Sequence, residues 1–186
     1  RYRLPLLYKK LLILSLVFGP IIWLMFTPDG QRRTDTVVLW LFGETEIKLH
    51  FKALTSQYSE QDLRKVYPKL NWQCESRQQA YGERYCVSQI GIFNGIPARY
   101  ITTYYRLGQL SAVKLHYRAE HHTFLQSQLG YQLGKPEEPA DVSQSALKYA
   151  QVLQWRTPHG MVIMKRLLRV EQEPALFWLS SDLLIQ

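Results

Sequence analysis

Residues Leu11 to Phe26 (LLILSLVFGPIIWLMF) run sixteen positions without a charge, directly behind Lys9 and Lys10. A helix over this run spans about 24 Å, short of a hydrocarbon core of about 30 Å. Thr27 and Pro28 can extend it into the interface, and the two lysines can snorkel outward while their stems stay in lipid. The pattern therefore predicts a transmembrane helix over about residues 9–27. Trp23 suits the far interface, and Gly19-Pro20 is expected to kink the helix, because Pro20 has no N–H to donate. A cleaved signal peptide is the competing reading. The flank LMFTPDGQ offers no small-x-small pair for a peptidase, so an uncleaved anchor is favoured over it and over a buried soluble helix.

Beyond the run, apolar positions mostly alternate, which is the period of a half-buried strand. Strands are expected at Thr36 to Phe42 and Thr45 to Ala53, where Ile47, Leu49 and Phe51 interleave with Lys48, His50 and Lys52. Ser59 can cap a short helix bearing Leu63, Val66 and Tyr67, ended by Pro68. A four-strand meander comes next: Leu70 to Ser76, Arg84 to Phe93, Pro97 to Arg106 and Leu110 to Arg118. Asn94-Gly95 supplies its strongest hairpin signal, since both residues accept the positive φ of a type I′ turn.

Glu120 to Leu133 reads as a helix with Phe124, Leu125, Leu129 and Leu133 as its apolar stripe and Gly134 at its stop. A helical turn or two over Ser143 to Ala150 is expected after the proline loop Gly134 to Ala140. A second meander over Gln151 to Thr157, Met161 to Val170 and Ala175 to Leu179 completes the chain. The fold class expected is α+β: a single N-terminal transmembrane helix, then a mainly antiparallel sheet with two or three helices on one face. The division expected is residues 1–29 as cytoplasmic flank and anchor, and residues 30–186 as one extracytoplasmic domain.

Charge sets the direction of the anchor. Arg1, Arg3, Lys9 and Lys10 precede the run with no acid among them, which predicts a cytoplasmic N-terminus. The expected location is the bacterial inner membrane, single-pass, with the C-terminal domain in the periplasm. Removing those four charges from the net +8 leaves 19 basic residues against 15 acidic ones, interspersed rather than clustered, so nucleic acid is not expected as a partner. The two cysteines, Cys74 and Cys86, flank a polar hairpin loop and would lie in an oxidising compartment. They are expected to form a disulfide, worth about 3 kcal/mol by loop entropy. Without C-x-x-C, a thioredoxin-like dithiol is not expected.

Candidate chemistry is sparse. The sequence holds no G-x-S-x-G elbow, H-E-x-x-H, P-loop or dinucleotide fingerprint. His121 and His122 are adjacent on a predicted helix and diverge by about 100°, a poor geometry for sharing one metal; His50 and His116 fall on polar strand faces and could join one of the pair in a site only if those faces coincided. Glu137-Glu138 and Glu171 with Glu173 sit in proline-flanked turns, as solvated acids do. No catalytic residue, metal or cofactor is expected. The aromatic content is the exception to this blandness. The strand YITTYYR carries Tyr100, Tyr104, Tyr105 and Arg106, with rings on both faces, and Tyr and Arg are enriched at protein interfaces.

The interface candidates are these four residues together with Gly19, Pro20 and Trp23 on the anchor. The function expected is a non-catalytic accessory or assembly subunit of a larger envelope complex, with membrane lipid and other protein subunits as partners. A periplasmic binding module for lipid, peptidoglycan or peptide is the alternative, and an enzyme of unrecognised type the third.

Overall fold

The structure, a computed structural model, describes residues 5–41, 45–137, 151–168 and 173–184. The expected helix over 143–150, the end of the expected strand at Val170, and Glu138 and Glu171 fall outside them. The chain is α+β, with an apolar N-terminal helix, a large and mostly antiparallel sheet, and a few further helices.

Helix α1 (Leu6–Phe26) contains Pro20 and is long and apolar enough to cross a membrane. It ends at Thr27, which adopts an extended conformation. The Thr27 hydroxyl donates to Trp23 O (2.7 Å) and accepts from Gly30 N (3.1 Å), so one residue closes α1 and caps the next helix. That next helix is α2 (Pro28–Leu41), where the alternation predicts a strand over Thr36–Phe42. Pro28 and Asp29 suit a first helical turn, and tertiary contacts outweigh the strand preference of the Thr-Val-Val segment. The expected boundary after residue 29 thus falls inside a helix. Gly30 is buried where a Cβ would strike Trp23 O and Leu24, which fixes α2 tightly against the end of α1.

The first expected strand of the sheet domain also shortens. Only β1 (Glu46–Ile47) pairs, and Phe51–Ala53 winds into a 3₁₀ turn. Burial still alternates through Ile47, Leu49 and Phe51. The reason is Asn94, whose side-chain amide accepts from Leu49 N (2.9 Å) and donates to Leu49 O (3.0 Å), standing in for a strand partner. Helix α3 (Glu60–Val66) carries the expected Ser59 cap, reciprocated by Asp62. Leu63 is buried from it, whereas Val66 is exposed.

Strands β2 (Gln73–Gln79), β3 (Gly82–Gln89), β4 (Ile92–Phe93), β5 (Ile96–Arg106) and β6 (Gln109–Tyr117) come next. The single strand expected over Arg84–Phe93 is two, because β3 pairs with the body of β5 while β4 pairs with its start and, in parallel, with β1. Asn94 and Gly95 both have positive φ, 47° and 75°, as the hairpin signal requires. Helix α4 (His122–Leu133) begins after a 3₁₀ turn and buries His122, Leu125 and Leu129; Phe124, expected in its apolar stripe, is on the exposed side. Strands β7 (Val152–Thr157), β8 (Gly160–Lys165) and β9 (Ala175–Ser180) form the second meander, and the four-residue α5 (Ser181–Leu184) ends the described chain.

The two meanders fuse into one sheet of nine strands, because β9 pairs antiparallel with β6. Residues of alternate parity, among them Ile101, Val113, Leu115, Trp155, Val162 and Trp178, share one core with Leu63 of α3 and Leu125 and Leu129 of α4. Helices α3 and α4 and the core thus occupy one face of the sheet, and the intervening residues build the other.

Candidate functional site: the aromatic sheet face

Strand register builds this second face row by row. One row crosses six strands as Tyr85, Tyr104, Ala112, Leu179, Met161 and Arg156, with Glu75 of β2 at its far end. The next row reads Gln73, Val87, Thr102, Lys114, Phe177, Ile163 and Gln154. Apart from Thr102 and Lys114 on β5 and β6, the centre is aromatic and aliphatic, and the ends are polar or charged. Tyr85, Tyr104, Val87, Phe177, Leu179, Met161 and Ile163 are all half-buried. Tyr81, from the β2–β3 turn, leans over this centre and meets Tyr104 edge-on at 5.2 Å and Phe177 at 5.7 Å. Lys114 places its ammonium 5.4 Å from the Phe177 ring, a cation–π contact. Among the described residues no helix covers these rings.

The face is rigid by construction. Its rings come from Tyr85 on β3, Tyr104 on β5 and Phe177 on β9, around the longest strands, β5 and β6, in the middle of the sheet. The Tyr85 hydroxyl donates to Glu75, and that bond raises its pKa; burial raises that of Tyr104. Both stay neutral donors at physiological pH. The edge beside them is stapled by the Cys74–Cys86 disulfide, which bridges directly opposed residues of β2 and β3 with Cα atoms 4.0 Å apart. Cys86 is buried, and the Arg64 guanidinium donates to Cys74 Sγ (3.0 Å).

A third row adds Tyr100 and His116. The Tyr100 ring stacks on the His116 imidazole at 4.0 Å and its hydroxyl donates to Glu173 (3.2 Å), while His116 Nδ1 lies 3.4 Å from the same carboxylate. His116, expected on a polar strand face, is instead 5 % exposed and roofed by Tyr100. Desolvation, helped by the nearby Lys114 charge and opposed by Glu173, lowers its pKa to about 4. It is a neutral imidazole at pH 7. Tyr100 and Glu173 border an open cleft of about 1170 Å³ between the sheet and α2, lined also by Leu39, Gln89, Arg99 and Arg118.

At the cleft's rim Asp35 of α2, Glu120 and His121 bring ligand atoms within 4.8 Å of one another. Arg118 stands 3.7 Å from Asp35 and 3.9 Å from Glu120, so a guanidinium already supplies the positive charge that a metal would bring. The arrangement is an ion-pair network that ties α2 to the sheet domain. His122, adjacent in sequence, turns away to meet the Tyr117 hydroxyl (2.7 Å) in the core.

The interface candidates separate clearly. Tyr100 and Tyr104 lie on the aromatic face. Tyr105 points the other way, is 2 % exposed in the core beside α3, and has its hydroxyl pKa pushed up to about 12 by burial. Arg106 is exposed where β5 turns into β6. Gly19, Pro20 and Trp23 lie on α1, away from the sheet, with Trp23 O engaged by Thr27. Tyr81, Phe177, Met161, Ile163 and Leu179 are not among the interface candidates read from the sequence. The alternation within β8 and β9 marks them as one side of a strand, but only the β6–β9 pairing places them beside Tyr104. Compared with protein-family models, with curated proteins and with solved structures, the chain matches none.

Proposed function

We propose that this protein is a membrane-anchored, non-catalytic accessory subunit that docks on a protein partner through its aromatic sheet face. In this reading α1 spans a bacterial inner membrane with its N-terminus in the cytoplasm, and the sheet domain works in the periplasm. The observation that supports it is the row of half-buried rings at Tyr81, Tyr85, Tyr104 and Phe177, on the face opposite α3 and α4. Rigid aromatics with polar tips, with Glu75 and Arg156 at the two ends of their row, have the composition of an interface core with a charged rim. A surface meant for lipid tails alone has no use for a neutral tyrosine hydroxyl held in place by a carboxylate, as that of Tyr85 is by Glu75.

A photo-crosslinking amino acid at position 104, in the full chain in its native membrane, tests the reading. Crosslinking to a discrete protein is expected there and not at Tyr131, which is 93 % exposed on α4. Equal crosslinking at both positions, or lipid adducts only at 104, would overturn it.

A further inference from the structure

Helix α2 presents two contrasting faces. On one, Leu39 lines the cleft, and Asp35 lies 3.7 Å from Arg118 and 3.9 Å from His121, so that side is engaged with the sheet domain. On the other, Thr34, Val37, Val38 and Leu41 succeed one another at helical spacing. Val37 is 60 % exposed, Val38 42 % and Leu41 72 %. The Thr34 hydroxyl is satisfied within the helix by Gly30 O (3.0 Å), which leaves this stripe free of polar demands.

The joint with α1 determines where that stripe lies. Only Thr27 separates the two helices, and its hydroxyl bonds to both. Gln31 Nε2 donates back to Met25 O (2.8 Å), and Gly30 sits against Trp23 O and Leu24 with no room for a side chain. The first turn of α2 is therefore packed on the last turn of α1, and its apolar stripe starts within about 15 Å of that end, at 1.5 Å per residue.

We propose that α2 is an interfacial helix: it lies in the headgroup region of the bilayer where α1 emerges, with Val37, Val38 and Leu41 among the acyl chain ends. This rests on the reading of α1 as a membrane span. The occupant is lipid because the stripe is continuous with the anchor's own lipid-facing surface, and because the opposite side of α2 already carries the domain. The helix becomes a platform that holds the sheet domain against the membrane through the Asp35–Arg118 contact. Its charges, Asp29, Arg32, Arg33 and Asp35, cancel, and Arg33 pairs with Asp29 at 2.9 Å. Insertion is thus driven by apolar area and does not require anionic lipid.

The test places a nitroxide on Val37→Cys or Leu41→Cys in the full chain, whose native cysteines are sealed in the disulfide. The protein is reconstituted in phosphatidylcholine vesicles and in phosphatidylethanolamine–phosphatidylglycerol vesicles at three to one. Relaxation by oxygen is then compared with relaxation by a water-soluble nickel chelate. Val17→Cys in α1 and the exposed Lys69→Cys on the domain give the membrane and water references. An oxygen-to-nickel ratio at 37 and 41 several-fold above that at 69, in both lipids, is expected. Ratios at 37 and 41 equal to that at 69, with 17 still protected, overturn the inference and leave the anchor standing. Shielding of 37 and 41 from both reagents means a protein contact and also overturns it. Nickel access at 17 removes the anchor and the inference together.

Discussion

Acidification should weaken this fold through one side chain, His116. The imidazole is buried beneath Tyr100, and its pKa falls from an ordinary 6.5 to about 4. A histidine with a depressed folded pKa binds fewer protons folded than unfolded between those values. Its contribution is therefore complete above about pH 6.5 and is lost as the pH falls toward 4. Full protonation would cost about 3 kcal/mol, at 1.36 kcal/mol per pKa unit, and the loss is already about 2 kcal/mol at pH 5. The groups facing the ring are Glu173, which opposes the shift, and Lys114 and Arg99, which support it.

The assay is urea unfolding of the full chain in mild detergent, monitored by tryptophan fluorescence, at pH 8 and pH 5 for the wild type and His116→Gln. His122, also lowered by burial, contributes to both proteins and drops out of the comparison. The wild type should lose about 2 kcal/mol more than the variant across this interval. Equal losses in the two proteins would refute the burial argument, because His116 would then be solvated in the folded state.

Removing the disulfide with Cys74→Ser/Cys86→Ser should cost about 3 kcal/mol in the same unfolding assay, from a closure of about a dozen residues. A thiol-reactive mass tag should label neither cysteine in untreated protein, and labelling of both would end the disulfide account. Ser59→Ala deletes the hydroxyl that accepts from Asp62 N (3.3 Å) and donates to the Asp62 carboxylate (2.6 Å). It should cost about 1 kcal/mol and raise amide exchange in the first turn of α3, whereas unchanged exchange there would show the capping box to be idle.

Local signals in the sequence are informative wherever one residue or one period suffices. Asn94-Gly95, the Ser59 cap, the paired cysteines and the alternation in β6 each act within a few positions, and each has its physical cause on the spot. Pairings between distant segments are not legible. Nothing in Gln109–Tyr117 or Ala175–Ser180 announces that β6 and β9 are neighbours, and that pairing alone assembles the aromatic face from both meanders. His116 misleads because its polar character suggests a wet strand face, whereas Tyr100, one strand away, covers it. The segment Thr36–Leu41 misleads because its Thr-Val-Val run favours a strand. Packing on the end of α1 and the Asp35–Arg118 contact hold it helical instead.

The central claim, docking through the sheet face, is tested most directly by the native mass of the protein after mild detergent extraction from its own membrane. The account predicts that the wild type migrates as part of a larger protein assembly. It also predicts that Tyr104→Ala/Phe177→Ala migrates as a free subunit with its disulfide and helix content intact. A wild type that is monomeric from the start, or a double variant that stays fully assembled, would contradict it.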